Sequence, residues 1–361
     1  MSRFIQIHML TAYPPANLNR DDQGRPKTAK MGGFDRLRVS SQSLKRAWRT
    51  SDLFQQALGQ QPSGGQIGTR TKLLGVTVYN KLVAGGIKEK QAKEWAQSIA
   101  GIFGALKKAK DKASLADLEI EQLVHVSLTE LQAIDDLVAV IMEQGRAPDE
   151  TELNLLRKQG QSADIALFGR MLASKPDYNV EAACQVAHAI SVHPVVIEDD
   201  YFTAVDDLND GSEDAGAAHI GETGFAAGLF YSYICINREQ LVENLGGDKD
   251  LAHKAIKALT EAAAKVAPEG KQNSFGSRAY ASYILAEKGD QQPRSLSVAF
   301  LKPVSSQGFD GADFGTAAVA ALTTQRNNMD VVYGSCADAC CEINALEGKG
   351  TLSALLKFVA E

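Results

Sequence analysis

The amino-acid sequence predicts an α+β protein. Strand patterns occur near both ends of the 361-residue chain, and helical patterns rich in Ala, Leu, Lys and Glu fill much of its middle. We therefore expect the two end regions to share one sheet and the helices between them to form an insertion. The length corresponds to roughly two domains of about 150 residues each.

The N-terminal strand is predicted from alternation. Residues 4–10 alternate apolar and polar side chains, which places Gln6 and His8 on one face of a strand. A polar loop containing Pro and Gly follows over residues 13–33.

A two-faced helix is predicted after a short extended segment at residues 36–39. Ser40 and Ser41 are suitable N-caps, and the helical spacing continues to about Leu58. One face carries polar and basic side chains at positions i, i+3, i+4 and i+7, namely Gln42, Lys45, Arg46 and Arg49. Another face packs on the core and contains Leu44, Ala47, Trp48 and Ser51.

The remaining elements follow from the same patterns. Helical spacing predicts helices over residues 69–84, 88–106, 128–144, 153–157, 180–191, 251–266, 316–323 and 352–359. Compact or alternating apolar runs predict strands over residues 164–171, 201–205, 229–236, 279–286 and 296–304.

Charge is distributed unevenly along the chain. The net charge is −6, yet residues 20–49 contain nine basic and three acidic residues, whereas residues 176–237 contain eleven acidic residues and no Lys or Arg. Local charge, not the total, sets the field that a polyanion meets. The basic segment therefore predicts contact with a nucleic-acid backbone, and the alternative is a solvated surface.

Several classes of protein are excluded. No run approaches the ~18 apolar residues that span a bilayer, and the first ten residues are too short and polar for a secretory signal. Five cysteines without framework spacing favour a reduced, cytoplasmic setting. Phosphate-loop, dinucleotide and zinc-protease motifs are missing, so we expect no cofactor and no metal.

Two regions, residues 1–50 and 160–250, contain a series of specific motifs. In order, they are NLNRDD (17–22), Gly32-Gly33, RVSSQSLKRA (38–47), DIALFGRM (164–171), QVAHAI (185–190), YFTAVDDL (201–208), AHIG (218–221), GLFY (228–231) and ENLGG (243–247). Their order and separation resemble the CasC family, the backbone subunit of the type I-E CRISPR Cascade complex.

The resemblance implies a hand-shaped fold. An RRM-like or ferredoxin-like palm is expected at residues 1–59 and 233–361, a helical fingers insertion at residues 60–180, and a β-hairpin thumb at residues 195–232. Strands at the two ends of the chain agree with such a palm.

The resemblance also implies a function in antiviral defence. Several copies of a non-catalytic subunit polymerise along the spacer of a CRISPR RNA and hold its bases for pairing with a target DNA strand in an R-loop. The implied partners are the CRISPR RNA, the target DNA, further copies of this chain, and the large, small and guide-end-binding Cascade subunits. No membrane is involved. We add the hypothesis that the acidic segment of one copy faces the basic surface of the next.

The expected site follows from position in the motifs. Matching positions imply guide-backbone contacts at Arg20, Lys27, Ser40, Gln42, Lys45, Arg46 and Arg49, and contacts from a loop with Arg170 and Met171. Phe202 and Thr203 match the wedge of the thumb. Because the thumb is acidic, it must approach RNA through uncharged groups, and Val205 is a third such group.

Two other functions remain open. A metal-dependent ribonuclease needs clustered carboxylates, and three adjacent pairs are candidates: Asp21-Asp22, Asp199-Asp200 and Asp206-Asp207. Adjacent carboxylates on a strand point to opposite faces, which disfavours this function. A stand-alone RRM-like protein needs exposed aromatic side chains on its first strand, where this chain has Gln6 and His8.

Residues that often bind metals have a structural interpretation here. Cys336, Cys340 and Cys341 have neither zinc nor iron–sulfur spacing and are predicted to be structural thiols. His188 and His193 flank an apolar segment and are predicted to be packing or capping residues.

Overall fold

The fold is described from a computed structural model that covers residues 2–59, 66–108, 114–204, 219–305 and 313–361. The chain divides into two compact units. The sheet unit comprises Met1–Leu53, Val186–Cys235 and Leu259–Glu361, and the helical unit comprises Phe54–Gln185 and Ile236–Ala258. The proposed limits of palm, fingers and thumb stay predictions.

Strands and helices both occur throughout the described residues, so the α+β class is confirmed. The strands are β1 (Phe4–Ala16), β2 (Thr28–Met31), β3 (Phe34–Val39), β4 (Thr69–Thr71), β5 (Val124–Val126), β6 (Cys184–Val186), β7 (Ala189–Ser191), β8 (Glu198–Ala204), β9 (His219–Asn237), β10 (Ala281–Gly289) and β11 (Ala339–Asn344). The α-helices are α1 (Ser41–Arg49), α2 (Asp52–Gly59), α3 (Leu74–Ala84), α4 (Glu89–Gly101), α5 (Leu128–Gln144), α6 (Ala163–Phe168), α7 (Arg238–Asn244), α8 (Lys249–Lys265), α9 (Gln272–Phe275), α10 (Phe314–Tyr333) and α11 (Leu352–Ala360).

The main sheet brings distant parts of the chain together. Its strand order is β11-β10-β1-β9-β7-β3-β2, and β8 pairs with β9 beside this path. β1 and β10 are antiparallel, from the Phe4–Gly289 pair to the Leu10–Tyr283 pair, and a bulge follows Leu10. The expectation that strands from both chain ends share one sheet is therefore confirmed.

One face of this sheet is covered by α10 and by the 3-10 turn Ser297–Phe300. Side chains from the sheet, the turn and α10 form one core, which includes Leu10, Tyr231, Tyr283, Leu285, Leu296, Phe300, Ala317 and Leu322. Gln6 and His8 are buried in the same unit. The first strand therefore presents no exposed aromatic pair to a ligand.

The helical unit has its own core. α3, α4 and α5 pack through apolar side chains at helical spacing, including Val78, Leu82, Trp95, Ile99, Ile134, Val138 and Ile141. Ser127 caps α5 and Glu130 completes a capping box, while Gly145 ends the helix with φ of 61°. The predicted helix at residues 128–144 is confirmed.

Four predicted elements are wrong, and one of them is the helix expected over residues 153–157, which are not helical. Residues 164–171 were expected to form a strand, but α6 occupies most of them. Residues 180–191 were expected to be helical, but contain β6 and β7, and residues 296–304 begin with the 3-10 turn, not a strand. Short apolar runs fit both the helical and the strand period, so contacts with the rest of the fold determine the secondary structure of these segments.

Smaller differences concern the ends of helices. The helix expected to run from Ser40 to Leu58 is divided into α1 and α2, because the hydroxyls of Thr50 and Ser51 bond back to the carbonyls of Arg46 and Trp48. Residues 69–71 form β4 before α3 begins.

Candidate nucleic-acid interface

Helix α1 has two chemically distinct faces, as the spacing predicted. Leu44, Ala47 and Trp48 are buried. On the opposite side Gln42 and Arg46 are exposed, and Lys45 and Arg49 are partly exposed. Burial of one stripe fixes the direction of the other, so the basic side chains project from the sheet unit as a group.

The start of α1 is held by two hydrogen bonds. The Ser40 hydroxyl accepts from the Ser43 backbone N–H at 3.3 Å, and the Asn19 side-chain oxygen accepts from the Ser40 backbone N–H at 2.9 Å. Ser40 is largely buried and acts as the N-cap. Its hydroxyl therefore orders the helix, and this is its observed task at the predicted site.

Residues 19–27 form a compact loop beside α1. The Lys27 backbone N–H donates to the Asn19 carbonyl at 2.8 Å, and Arg20 forms an isolated bridge with Pro26. One carboxylate oxygen of Asp21 accepts from the backbone N–H groups of Gln23 and Arg25, at 3.0 and 2.9 Å. The loop thus holds Arg20 exposed and Lys27 partly exposed.

Arg20 and Arg46 line one open cleft of the sheet unit. Backbone and side-chain atoms from the loop, from α1 and from the segment before α9 form its walls, namely Leu18, Asn19, Arg20, Asp21, Ser43, Arg46, Ala47, Glu269 and Gly270. The structure therefore brings together two predicted contact residues that lie 26 positions apart in the sequence.

The basic segment is less cationic at its surface than its composition indicates. Arg36 is fully buried and donates to the carbonyls of Ser191 and Phe300, each at 2.9 Å. Burial lowers the pKa of Arg36. Lys30 pairs with Asp35 at 2.9 Å, in the hairpin formed by β2 and β3. Fewer than nine basic side chains are therefore available to a ligand.

His188 lies in this basic region, and its predicted packing role is wrong. It is exposed, and its Nδ1 lies 3.2 Å from Nη1 of Arg38. Partial burial, followed by the charges of Arg38 and Lys27, lowers its pKa. Spacing gave no signal for this cluster, because it depends on the pairing of β3 with β7. His193 does pack as predicted, since its Nε2 accepts from the Leu229 backbone N–H.

The candidate wedge lies on the hairpin formed by β8 and β9. Phe202 pairs in register with Gly221, and a Cβ atom at Gly221 would lie 2.4 Å from the Phe202 ring. The glycine therefore lets the ring lie across the neighbouring strand. Phe202 and Thr203 are exposed, whereas Val205 lies outside the described residues.

The acidic hairpin is joined to the basic loop within one chain. Asp199 on β8 forms an ion pair with Arg25 at 2.9 Å. Asn17 donates from its side-chain nitrogen to the carbonyls of Gly24 and Gly224, both at 2.9 Å. These contacts position the base of the hairpin against residues 19–27.

Arg170 and Met171 lie in the helical unit and differ completely in exposure. The Arg170 side chain is 1% exposed and pairs with Glu130 at 2.6 Å, and it also donates to the carbonyls of His125, Arg157 and Tyr178. Its guanidinium is therefore internal, and we remove it from the set of expected RNA contacts. Met171 is 79% exposed.

The residues proposed for metal chemistry have other partners. One oxygen of Asp21 accepts backbone N–H groups, Asp199 pairs with Arg25, and Asp206-Asp207 lies outside the described residues. Across the described ranges, no cluster of three His, Cys, Asp or Glu residues is suited to a metal ion. Cys336 is buried and Cys340 is exposed.

No α-helix in the described part of the chain has both the length and the apolar character needed to cross a bilayer.

The comparisons with known proteins define a family. The model of the CT1975-like protein family (Cas_CT1975) matches residues 5–354, and the chain therefore belongs to this family. A search of curated proteins found no match.

Solved structures extend this finding. A chain of a "CRISPR RNA-guided surveillance complex, pre-nicking" superposes with a TM-score of 0.81 at 28% identity, covering 99% of each chain. A chain of a second "CRISPR RNA-guided surveillance complex" has a TM-score of 0.72 at 23% identity, covering 98% of this chain and 94% of the other. The second comparison is a likeness of fold.

Proposed function

We propose that this protein is a non-catalytic, CRISPR RNA-binding backbone subunit of a Cascade-type surveillance complex. The observation that carries the proposal is the basic face of α1, which projects opposite a buried face and meets Arg20 at one cleft. Family membership and the likeness to a chain of an RNA-guided complex support it.

The chemistry of this face suits a sugar-phosphate backbone. Arg and Lys are hydrogen-bond donors only, and both neutralise phosphate charge. A guide varies in sequence, so its holder must bind the backbone and leave the Watson–Crick edges free for pairing. Arg20, Gln42, Lys45, Arg46 and Arg49 meet this need because they lie on one loop and one helix face.

The finer assignment to type I-E CasC is part of the proposal. Along the chain, β1, α1, β7, β9, α8 and β10 follow the β-α-β-β-α-β order of a ferredoxin-like unit, which supports an RRM-like palm. The helical unit then corresponds to the fingers, and the hairpin of β8 and β9 corresponds to the thumb. In this proposal the partners of the protein are the guide, target DNA, further copies of this chain and the other Cascade subunits. The complex acts in the cytoplasm.

Charge reversal on α1 tests the proposal. We expect Lys45→Glu/Arg49→Glu to weaken binding to RNA of any sequence by at least about tenfold at 150 mM salt, and to lower the salt slope by about 1.4, because two phosphate contacts are lost. The matched control is Lys349→Glu/Lys357→Glu, which makes the same charge change on the exposed C-terminal segment. Fluorescence anisotropy over a salt series measures both.

Two results would reject the proposal. Equal loss in the test and control variants would show that only net charge matters, and unchanged affinity in the test variant would remove α1 from the interface. Circular dichroism of both variants verifies that they fold. Incubation with labelled RNA and Mg²⁺ or Mn²⁺ tests the non-catalytic part, since cleavage abolished by Asp21→Asn would instead support a ribonuclease.

The stand-alone RRM alternative has less support. An RRM binds single-stranded RNA on an exposed sheet face with aromatic side chains. Here Gln6 and His8 are buried, and α10 covers the face that holds Tyr231 and Tyr283. In the proposed function RNA instead approaches the edge near α1 and the hairpin.

A further inference from the structure

We propose that Lys27, Arg38 and His188 form an additional anion site that holds one phosphodiester group of the RNA. The inference rests on the proposed function and extends the interface beyond α1. Of these three residues, only Lys27 belongs to the contacts that the family resemblance implies.

A backbone hydrogen bond joins Lys27 to Arg38, and strand pairing places His188 beside them. The Arg38 backbone N–H donates to the Lys27 carbonyl at 2.8 Å. Arg38 pairs with Ile190 in the ladder between β3 and β7, which places His188 two residues away on the neighbouring segment. The cluster is therefore part of the sheet's framework.

The Arg38 side chain is oriented at two points. Its Nε donates to the Thr28 carbonyl at 3.3 Å, and its Nη1 lies 3.2 Å from Nδ1 of His188. These contacts engage Nε and Nη1 and so orient the plane of the guanidinium. A planar cation fixed in this way is well suited to an oxygen anion.

The contact with Arg38 determines the tautomer of His188. A guanidinium has only donors, so Nδ1 of His188 must accept and the proton of the neutral ring resides on Nε2. The charged groups that act on His188 are both cations, Arg38 on β3 and Lys27 before β2, and together with partial burial they lower its pKa. The ring therefore stays neutral and offers an Nε2–H donor.

Together the cluster provides two positive charges and one neutral donor, and His188 is exposed to solvent. That set matches a phosphodiester, which has one negative charge and several acceptor oxygens. Val39 and Ser40 connect Arg38 directly to α1, and in this proposal one strand of RNA contacts both sites.

Loss of a cation and loss of the neutral histidine should change RNA binding in different ways. We expect Lys27→Gln and Arg38→Gln each to reduce the salt slope of RNA binding by about 0.7, because each removes one cation. His188→Ala removes a neutral donor, so it weakens binding about three- to tenfold at fixed salt with the slope unchanged. Anisotropy with an unstructured RNA over 50–300 mM salt measures all three.

Controls separate this inference from the proposed function. Lys357→Gln removes an exposed cation elsewhere in the sheet unit and leaves the slope unchanged. The Arg38 side chain also contacts Thr28, so thermal unfolding is used to identify any loss of structure in Arg38→Gln. If that variant is destabilised, the RNA affinities of Lys27→Gln and His188→Ala test the additional site. If Lys27→Gln and His188→Ala bind RNA like the wild type while Lys45→Glu/Arg49→Glu loses affinity, the additional site is wrong and the proposed function stands. If all bind normally, the proposed function fails as well.

Discussion

Arg170 shows that the neighbours of a charged residue determine its role. Its guanidinium is enclosed by Glu130 and by three backbone carbonyls, while Glu130 also accepts from the Ser127 and Arg157 backbone N–H groups. A family motif identifies the position of this arginine but not the direction of its side chain. The buried pair connects the start of α5 to the segment after α6, and it organises the helical unit.

Truncation of Arg170 should therefore affect stability before binding. We expect Arg170→Ala to reduce the free energy of unfolding by about 3–5 kcal/mol, because it leaves Glu130 as an unpaired buried charge. Urea unfolding followed by circular dichroism measures the change. Arg146→Ala is the control, since that arginine pairs with Glu152 at the surface and its loss should change stability little.

A double variant distinguishes charge from packing. Arg170→Met/Glu130→Gln should recover part of the lost stability, because no buried charge remains. If Arg170→Ala instead unfolds at the wild-type urea concentration and loses RNA affinity, its role is contact with RNA after all.

A second buried pair predicts acid sensitivity of the sheet unit. Burial alone raises the pKa of Glu287, but contacts with His8 and Arg294 outweigh it and leave the pKa well below its ordinary value. Burial lowers the pKa of His8, so the ring stays neutral. In both cases the unfolded chain takes up a proton that the folded chain does not.

Stability should therefore fall on acidification in two stages. The loss begins as the pH drops through about 6.5, where unfolded His8 protonates, and grows below about 4.5, where unfolded Glu287 protonates. Melting temperature from pH 8 to 4 tests this. Glu287→Gln should be less stable at pH 7 and should lose less between pH 5 and 4; an identical slope would contradict the assignment.

At the scale of elements, the hairpin of β8 and β9 is suited to setting the spacing of bound nucleotides and not to binding the RNA backbone. Its described acidic residues include Asp199 and Asp200, so it does not attract phosphate by charge. Phe202 lies across Gly221 and is exposed. An aromatic ring in this setting is able to insert between bases, whose stacking is independent of sequence.

Phe202→Ala should leave overall RNA affinity nearly intact and disturb the regular spacing of protected nucleotides. Nuclease footprinting of the assembled complex measures that spacing. Tyr201→Ala is the matched control, because adjacent residues on a strand point to opposite faces and Tyr201 is also exposed. A footprint that is unchanged, or altered uniformly, would exclude the wedge.

Local pattern predicted some of these elements and not others. α1 and its basic face were predictable, because amphipathic spacing and a Ser N-cap are local signals. The cluster of Arg38 and His188 was not, because it exists only once β3 pairs with β7. α6 was missed because its apolar run is buried nearly all round and shows no helical period.

At the scale of the whole molecule, charge is divided between the basic surface near α1 and the acidic hairpin. Part of the attraction is used within one copy, where Arg25 pairs with Asp199. In the same hairpin Asp200 lies opposite Thr223 and Glu222 lies opposite Tyr201, and both carboxylates add negative charge there. Opposite charges on two surfaces of one chain favour head-to-tail contact, which propagates as an open helix unless it closes into a ring.

Such contacts predict assembly that depends on both RNA and salt. We expect the number of copies in each complex to rise in steps with RNA length, because each copy covers a fixed stretch of backbone, and we expect contacts between copies to weaken as salt rises. Light scattering on RNAs of graded length, at low and high salt, measures mass and therefore copy number.

Asp200→Lys/Glu222→Lys should reduce the number of copies on a long RNA. The affinity of a single copy for a short RNA should be unchanged or stronger, since negative charge near the backbone is removed. RNA-independent oligomers that strengthen with salt would show that apolar surfaces, not these charges, join the copies.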